Sequence, residues 1–212
     1  MAGNKMDNAV NTDGKNMWRD TAVLFVITLI SGLLLGLVYQ VTVEPRRQQQ
    51  ERKIREACQA VFAQAQNFEE ISYVPDEALA QELSTDGVKI GTVYRALDGA
   101  GSSLGYVIET TSGEGYGGNI TLYAGITNDG IVNGVSILSI SETPGLGMRA
   151  GEVLIPQFAG KMATGFTYTK SGSQSDSEID AISGATITTE AVTNAVNGAV
   201  SAFTRDLQKG GE

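Results

Sequence analysis

The sequence predicts an α+β domain, an antiparallel sheet with flanking helices, preceded by one N-terminal transmembrane helix. Three observations predict it. No charged residue occurs from Thr21 to Val43, and that apolar run meets the roughly 20 residues needed to cross a bilayer. Between Val88 and Ile140, strand-length apolar segments alternate with glycine-rich loops. From Thr188 to Leu207, Val192, Val196, Val200, Phe203 and Leu207 recur at spacings of three and four, with Ala191, Ala195, Ala199 and Ala202 alongside. That is a helix with one buried face.

In chain order, residues 1–17 are polar and predict a disordered tail. Residues 18–43 form the anchor, with Trp18 and Tyr39 near its ends, where interfacial aromatics lie. A cleaved signal peptide is the rival, but the run exceeds an ordinary h-region and no Ala-x-Ala site follows. Residues 44–67 open at Glu44-Pro45 and place Ile54, Cys58, Val61 and Phe62 on one helical face. This predicts a helix that leaves the membrane and packs on the domain. Its Arg46, Arg47, Arg52, Lys53 and Arg55 make a solvated face or touch lipid headgroups.

Residues 68–212 form the α+β domain. No element is predicted over 67–86. Val88–Leu97, Leu104–Thr110, Ile120–Ile126 and Ile131–Ile140 are strands, the last two joined at Thr127-Asn128-Asp129-Gly130, whose Asp-Gly signals a hairpin. Ile155–Met162 is a short helix opening near Pro156, and Ser171–Ser177 a surface loop.

Composition removes several functions. With no histidine there is no His base, catalytic triad or His metal ligand. One cysteine, Cys58, excludes a Cys-x-x-Cys pair and a self-contained thiolate metal site, so no metal is expected. Cys58 reads as a small apolar helix residue, the alternative being a share in an intermolecular site. A net charge of −9 offers no footprint for nucleic acid. If the chain handles electrons, the carrier is organic by elimination.

The chemistry concentrates in Asp180-Ala181-Ile182-Ser183-Gly184-Ala185-Thr186. Ser-Gly-Ala-Thr runs into the Thr188–Leu207 helix, placing hydroxyls and free backbone N–H groups at a helix N-terminus, which suits a phosphate. Glu190 is expected in the first turn. Taken alone, the four residues are also a plain turn and N-cap. Two further glycine-rich loops precede them: Gly113-Glu114-Gly115-Tyr116-Gly117-Gly118 and Glu142-Thr143-Pro144-Gly145-Leu146-Gly147. Each alone is an ordinary loop.

Together, in this order, the three loops resemble the FMN-binding domain family. With the anchor, the Pro45-Arg46-Arg47 exit and the helix after it, the chain resembles the G subunits of Rnf-type ion-translocating ferredoxin:NAD oxidoreductase complexes. The resemblance spans all but about the first 15 residues. It implies an electron-carrier subunit with no complete enzyme activity alone. FMN would be joined through its phosphate to Thr186, with Ser183, Gly184, Ala185, Glu142, Thr143, Gly145, Leu146 and Tyr116 as further cofactor residues. The loop glycines would let backbone approach the ring closely. With no His or Cys activator available, attachment is not expected to be self-catalysed; the resemblance implies a separate flavin transferase, with Asp180 and Ser183 as its recognition residues. Partners are other membrane subunits, that transferase and the lipid bilayer. The alternatives are the C subunit of a sodium-translocating NADH:quinone reductase, a tethered assembly module without redox role, and a free-standing flavoprotein reductase.

Sidedness divides the signals. Lys5, Lys15 and Arg19 precede the span and five basic residues follow it, which by charge puts the large domain in the cytoplasm. The resemblance implies the opposite: a single pass through the cytoplasmic (inner) membrane with the domain on the extracytoplasmic side. The resemblance is preferred, because partner subunits help set orientation in a complex.

Overall fold

The structure, a computed structural model, describes residues 7–208, with side chains from 17 onward except 43, 44 and 46. It has two units, Met1–Glu51 and Arg52–Glu212.

Helix α1 runs Asp7–Val61 and contains Pro45. Met17–Val61 includes the stretch long and apolar enough to cross a bilayer, the only such helix among the described residues. Leu24, Phe25, Leu33 and Leu35 on it are all exposed. Residues 7–17 continue this helix, in place of the tail expected over 1–17, while 1–6 lie outside the described residues. The physical reason is cooperativity: once the apolar segment is helical, each added polar residue gains a backbone bond without paying for nucleation. No change of backbone marks the expected boundary at 43/44, and the helix ends at Val61.

In the second unit an antiparallel meander is ordered β1-β2-β3-β4-β5. Its strands are Asn67–Ile71, Val88–Leu97, Ser103–Ser112, Ile120–Thr127 and Val132–Ser139. The four predicted strands are present within a few residues. At the β4–β5 hairpin Gly130 takes φ +79, and its N–H donates to Thr127 O at 2.9 Å. The stretch without a prediction holds β1 and helix α2, Glu77–Thr85. Asp76 caps α2, its Oδ1 accepting from Leu79 N at 2.6 Å. Leu79 and Leu83, one turn apart, are the buried residues of α2.

Both sheet faces are covered. Helix α5, Thr186–Ala202, packs on β2, β3 and β4 through its alanines and valines. Gly198 brings it close, since a Cβ there would stand 2.8 Å from Val88 Cγ1. On the other face Ala57, Cys58, Val61, Phe62 and Ala65 cluster with Ala96, Val107 and Tyr123. Asn133 Nδ2 donates to Val61 O. The segment after the apolar run thus packs on the sheet, as its periodicity predicts.

Between β5 and α5 come short pieces: α3 (Ala150–Val153), α4 (Ile155–Phe158), β6 (Thr167–Thr169) and β7 (Glu178–Asp180). The helix expected to reach Met162 stops at Phe158. Ala159 is extended and Gly160 takes φ +80, and Gly160 N then donates to Val132 O at 2.8 Å. The following residues therefore bond to the start of β5. Strands β6 and β7 pair in parallel, joined through the exposed serine-rich loop. Three-residue strands are too short to show periodicity. Helix α5 starts at Thr186, so Glu190 falls beyond the first turn where it was expected.

Burial pushes the Cys58 thiol up from its ordinary 9.0 to about 12, with the charge of Glu109 adding to the effect. Tyr123 is raised by burial and then by Glu109, and Tyr73 by burial and then by its hydrogen bond to Asp206, 2.7 Å long. In each case the folded chain holds its proton more tightly than the unfolded one. Above pH 9 the unfolded state binds fewer protons, so stability falls as pH rises. Denaturant midpoints should therefore decline steadily from about pH 9 upward. Tyr123→Phe should flatten that alkaline decline.

Candidate functional site

A cleft of about 530 Å³ opens where three distant segments meet. It is lined by Tyr116, by Glu142, Thr143, Leu146 and Gly147, and by Gly184, Ala185, Thr186, Ile187 and Thr188. The sheet arranges this. The loop after β3, the loop after β5 and the start of α5 emerge at one end of the domain. Of the sequence-predicted site residues, Tyr116, Glu142, Thr143, Leu146, Gly184, Ala185 and Thr186 line the cleft, while Gly145 and Ser183 do not.

Glu142 joins the three segments. It is 6% exposed. Its Oε1 accepts from Gly117 N at 3.0 Å and its Oε2 from Thr188 Oγ1 at 2.8 Å. Gly147 lies against both partners: a Cβ there would stand 2.5 Å from Thr188 Oγ1 and 2.7 Å from Glu142 Oε2. A Cβ on Gly117 would stand 1.9 Å from Ser141 O, and one on Gly115 2.2 Å from Gly118 O. At Gly117 backbone approaches the backbone of the second loop, which lets the two loops nest, whereas at Gly115 the close neighbour lies within its own loop. Gly113 has ordinary room, its nearest neighbour being 3.6 Å away.

In the second loop, Gly145 supplies the turn at φ +79, and Leu146 N and Met148 N both donate to Thr143 O at 3.2 Å. This leaves Leu146 42% exposed on the cleft. Tyr116 and Ile187 are also exposed apolar side chains. The walls are therefore apolar around a polar floor.

At the start of α5 three hydroxyls lie within four residues, and their environments differ. Thr188 Oγ1 is committed to Glu142. Thr189 Oγ1 donates to Ala185 O at 2.9 Å and accepts from Ile182 N at 3.1 Å. Both residues are buried. Thr186 is half-buried, lines the cleft, and its hydroxyl bonds to no other described residue. Ala185 at the N-cap offers no side-chain cap, so the first-turn N–H groups have no side-chain acceptor there.

Asp180 and Ser183 stand outside the cleft. Asp180 sits in β7, where Gln157 holds its backbone: Asp180 N donates to Gln157 Oε1 at 2.7 Å, and Gln157 Nε2 donates to Asp180 O at 3.1 Å. Its carboxylate accepts from Ser173 N. Ser183 is exposed beside Gly184, which takes φ +78. Sequence reasoning missed Ile187, Thr188 and Gly147. Gly147 belongs to a loop already singled out. Ile187, an apolar residue beside the motif, was the detectable signal, whereas the Thr188–Glu142 contact joins residues too far apart in sequence to be foreseen.

Residues 115–201 match the FMN-binding domain family, a stretch that carries all three cleft segments. The chain is 32% identical to the G subunit of the Na(+)-translocating ferredoxin:NAD(+) oxidoreductase complex of Acetobacterium woodii, over 92% of this chain and 95% of that one. It is 32% identical to the G subunit of the ion-translocating oxidoreductase complex of Methanosarcina acetivorans, over 89% and 95%. It is 31% identical to the G subunit of the proton-translocating ferredoxin:NAD(+) oxidoreductase complex of Clostridium ljungdahlii, over 92% and 96%. Those names differ in the ion, so kinship does not carry the ion with it. Similarity along almost the full length of these proteins, with an FMN-binding domain over the cleft, places the chain in the family of G subunits of ion-translocating oxidoreductase complexes.

Proposed function

We propose that this chain is a membrane-tethered electron-carrier subunit of an ion-translocating ferredoxin:NAD oxidoreductase complex, with FMN joined through its phosphate to Thr186 Oγ1. The observation that carries the linkage is the contrast among the three hydroxyls: Thr188 and Thr189 are bonded and buried, and that of Thr186, on the cleft, bonds to no other described residue.

The residues fit the group. The first turn of α5 offers backbone donors and the positive end of a helix dipole to a phosphate. The cleft volume falls within the roughly 300–1,000 Å³ usual for cofactor sites. Tyr116, Leu146 and Ile187 supply apolar contact for a flat ring. The flavin supplies the electron chemistry, and the chain positions it and sets its surroundings.

No His or Cys stands ready to activate Thr186, so attachment falls to a flavin transferase using FAD. Thr186 Oγ1 displaces AMP at the phosphorus nearer riboflavin, one P–O bond forming as another breaks. Asp180 and Ser183 are assigned to transferase recognition, which the exposure of Ser183 favours. The apolar part of α1 crosses the inner membrane once, and the domain stands on the extracytoplasmic side. Protease added to sealed, oriented vesicles should cut the domain only from that side.

The test is direct. Protein isolated from its own cells should give a fluorescent band on a denaturing gel under ultraviolet light. The peptide containing Thr186 should be heavier by FMN less one water. A dark band with an unmodified peptide would sink the linkage and favour the assembly-module reading.

A further inference from the structure

We propose that Glu142 is a positioning residue that holds a negative charge against the cleft and lowers the reduction potential of the flavin seated there. The inference rests on the FMN reading above and adds a role that attachment does not need.

Glu142 is 6% exposed and lines the cleft. Each oxygen is an acceptor, one from Gly117 N–H and one from Thr188 O–H. Among the described residues no Lys or Arg forms an ion pair with it. Its neutralisation is partial: the donors and the nearby positive end of α5 stabilise the charge without cancelling it. Burial keeps water from screening it. Among the residues lining the cleft, Glu142 is the only carboxylate.

Reduction adds electrons to the flavin ring. A fixed anion beside the ring raises the energy of the electron-rich form, so the potential falls. The two hydrogen bonds keep the charge in place, because rotating the carboxylate toward water would leave Gly117 N–H and Thr188 O–H without partners.

The test is Glu142→Gln in the full chain, produced with the flavin transferase present. Glutamine keeps the shape and both contacts: its carbonyl accepts from Gly117 N–H and its amide donates to Thr188 Oγ1. Only the charge is removed. The expected result is flavin on Thr186 at the parent stoichiometry and a midpoint potential shifted upward in a spectroelectrochemical titration. Thr188→Val keeps the charge and loses one donor, and its potential should not rise. An unchanged or lower potential in flavin-bearing Glu142→Gln overturns the proposal. So does failure of that variant to acquire flavin, or a rise in Thr188→Val equal to that of Glu142→Gln. A parent protein without flavin on Thr186 would bring down the FMN reading, and this inference with it.

Discussion

Thr186→Ala should yield protein with no covalently attached flavin and essentially unchanged stability. The Thr186 hydroxyl bonds to no other described residue, so removing it should shift stability by less than about 0.5 kcal/mol, the range of an unbonded surface change. Thr189→Ala should do the reverse. It leaves Ile182 N–H without its acceptor and should cost about 1–3 kcal/mol while flavin remains attached. Thr186→Ser keeps a hydroxyl on Cβ at the same position and should retain attachment. In-gel fluorescence and the mass of the Thr186 peptide measure attachment, and denaturant unfolding measures stability. The pairing matters because misfolding would remove flavin and stability together. Flavin retained in Thr186→Ala would move the linkage elsewhere.

The second large effect is expected at Gly117. Gly117→Ala puts a methyl 1.9 Å from Ser141 O, a backbone atom with no rotamer to escape into. The loop after β3 must lift away, which breaks the Gly117 N–H bond to Glu142 and opens the cleft. A loss of about 3 kcal/mol is expected, together with sharply reduced flavin attachment. Gly113→Ala, four residues earlier in the same loop, should fall within about 1 kcal/mol of the parent, because its Cβ meets ordinary van der Waals space. Equal effects at the two positions would mean that backbone nesting does not build the site.

What the sequence makes legible follows the length of each signal. Val88–Leu97 and Thr188–Leu207 show periodicity over ten residues or more, and the structure places a strand and a helix there. Asn67–Ile71 and the β6–β7 pair are short, and their pairing is decided by neighbours distant in sequence. The cleft divides in the same way. Tyr116, Glu142, Leu146 and Thr186 lie in motifs and were legible as candidates. That Glu142 holds Gly117 and Thr188 together was not legible, since it is a contact across 46 residues. The same contact sets Thr188, just past the motif, apart from Thr186 within it.

The order of elements has a consequence for how this polypeptide is made. The meander is complete at Ser139, yet α5, which covers one of its faces, begins only at Thr186. Ribosomes therefore finish a sheet whose oily side must wait for the last helix to be translated. A stop codon before Thr186 should therefore leave a sticky, aggregating fragment, because one apolar face of the meander would stay uncovered.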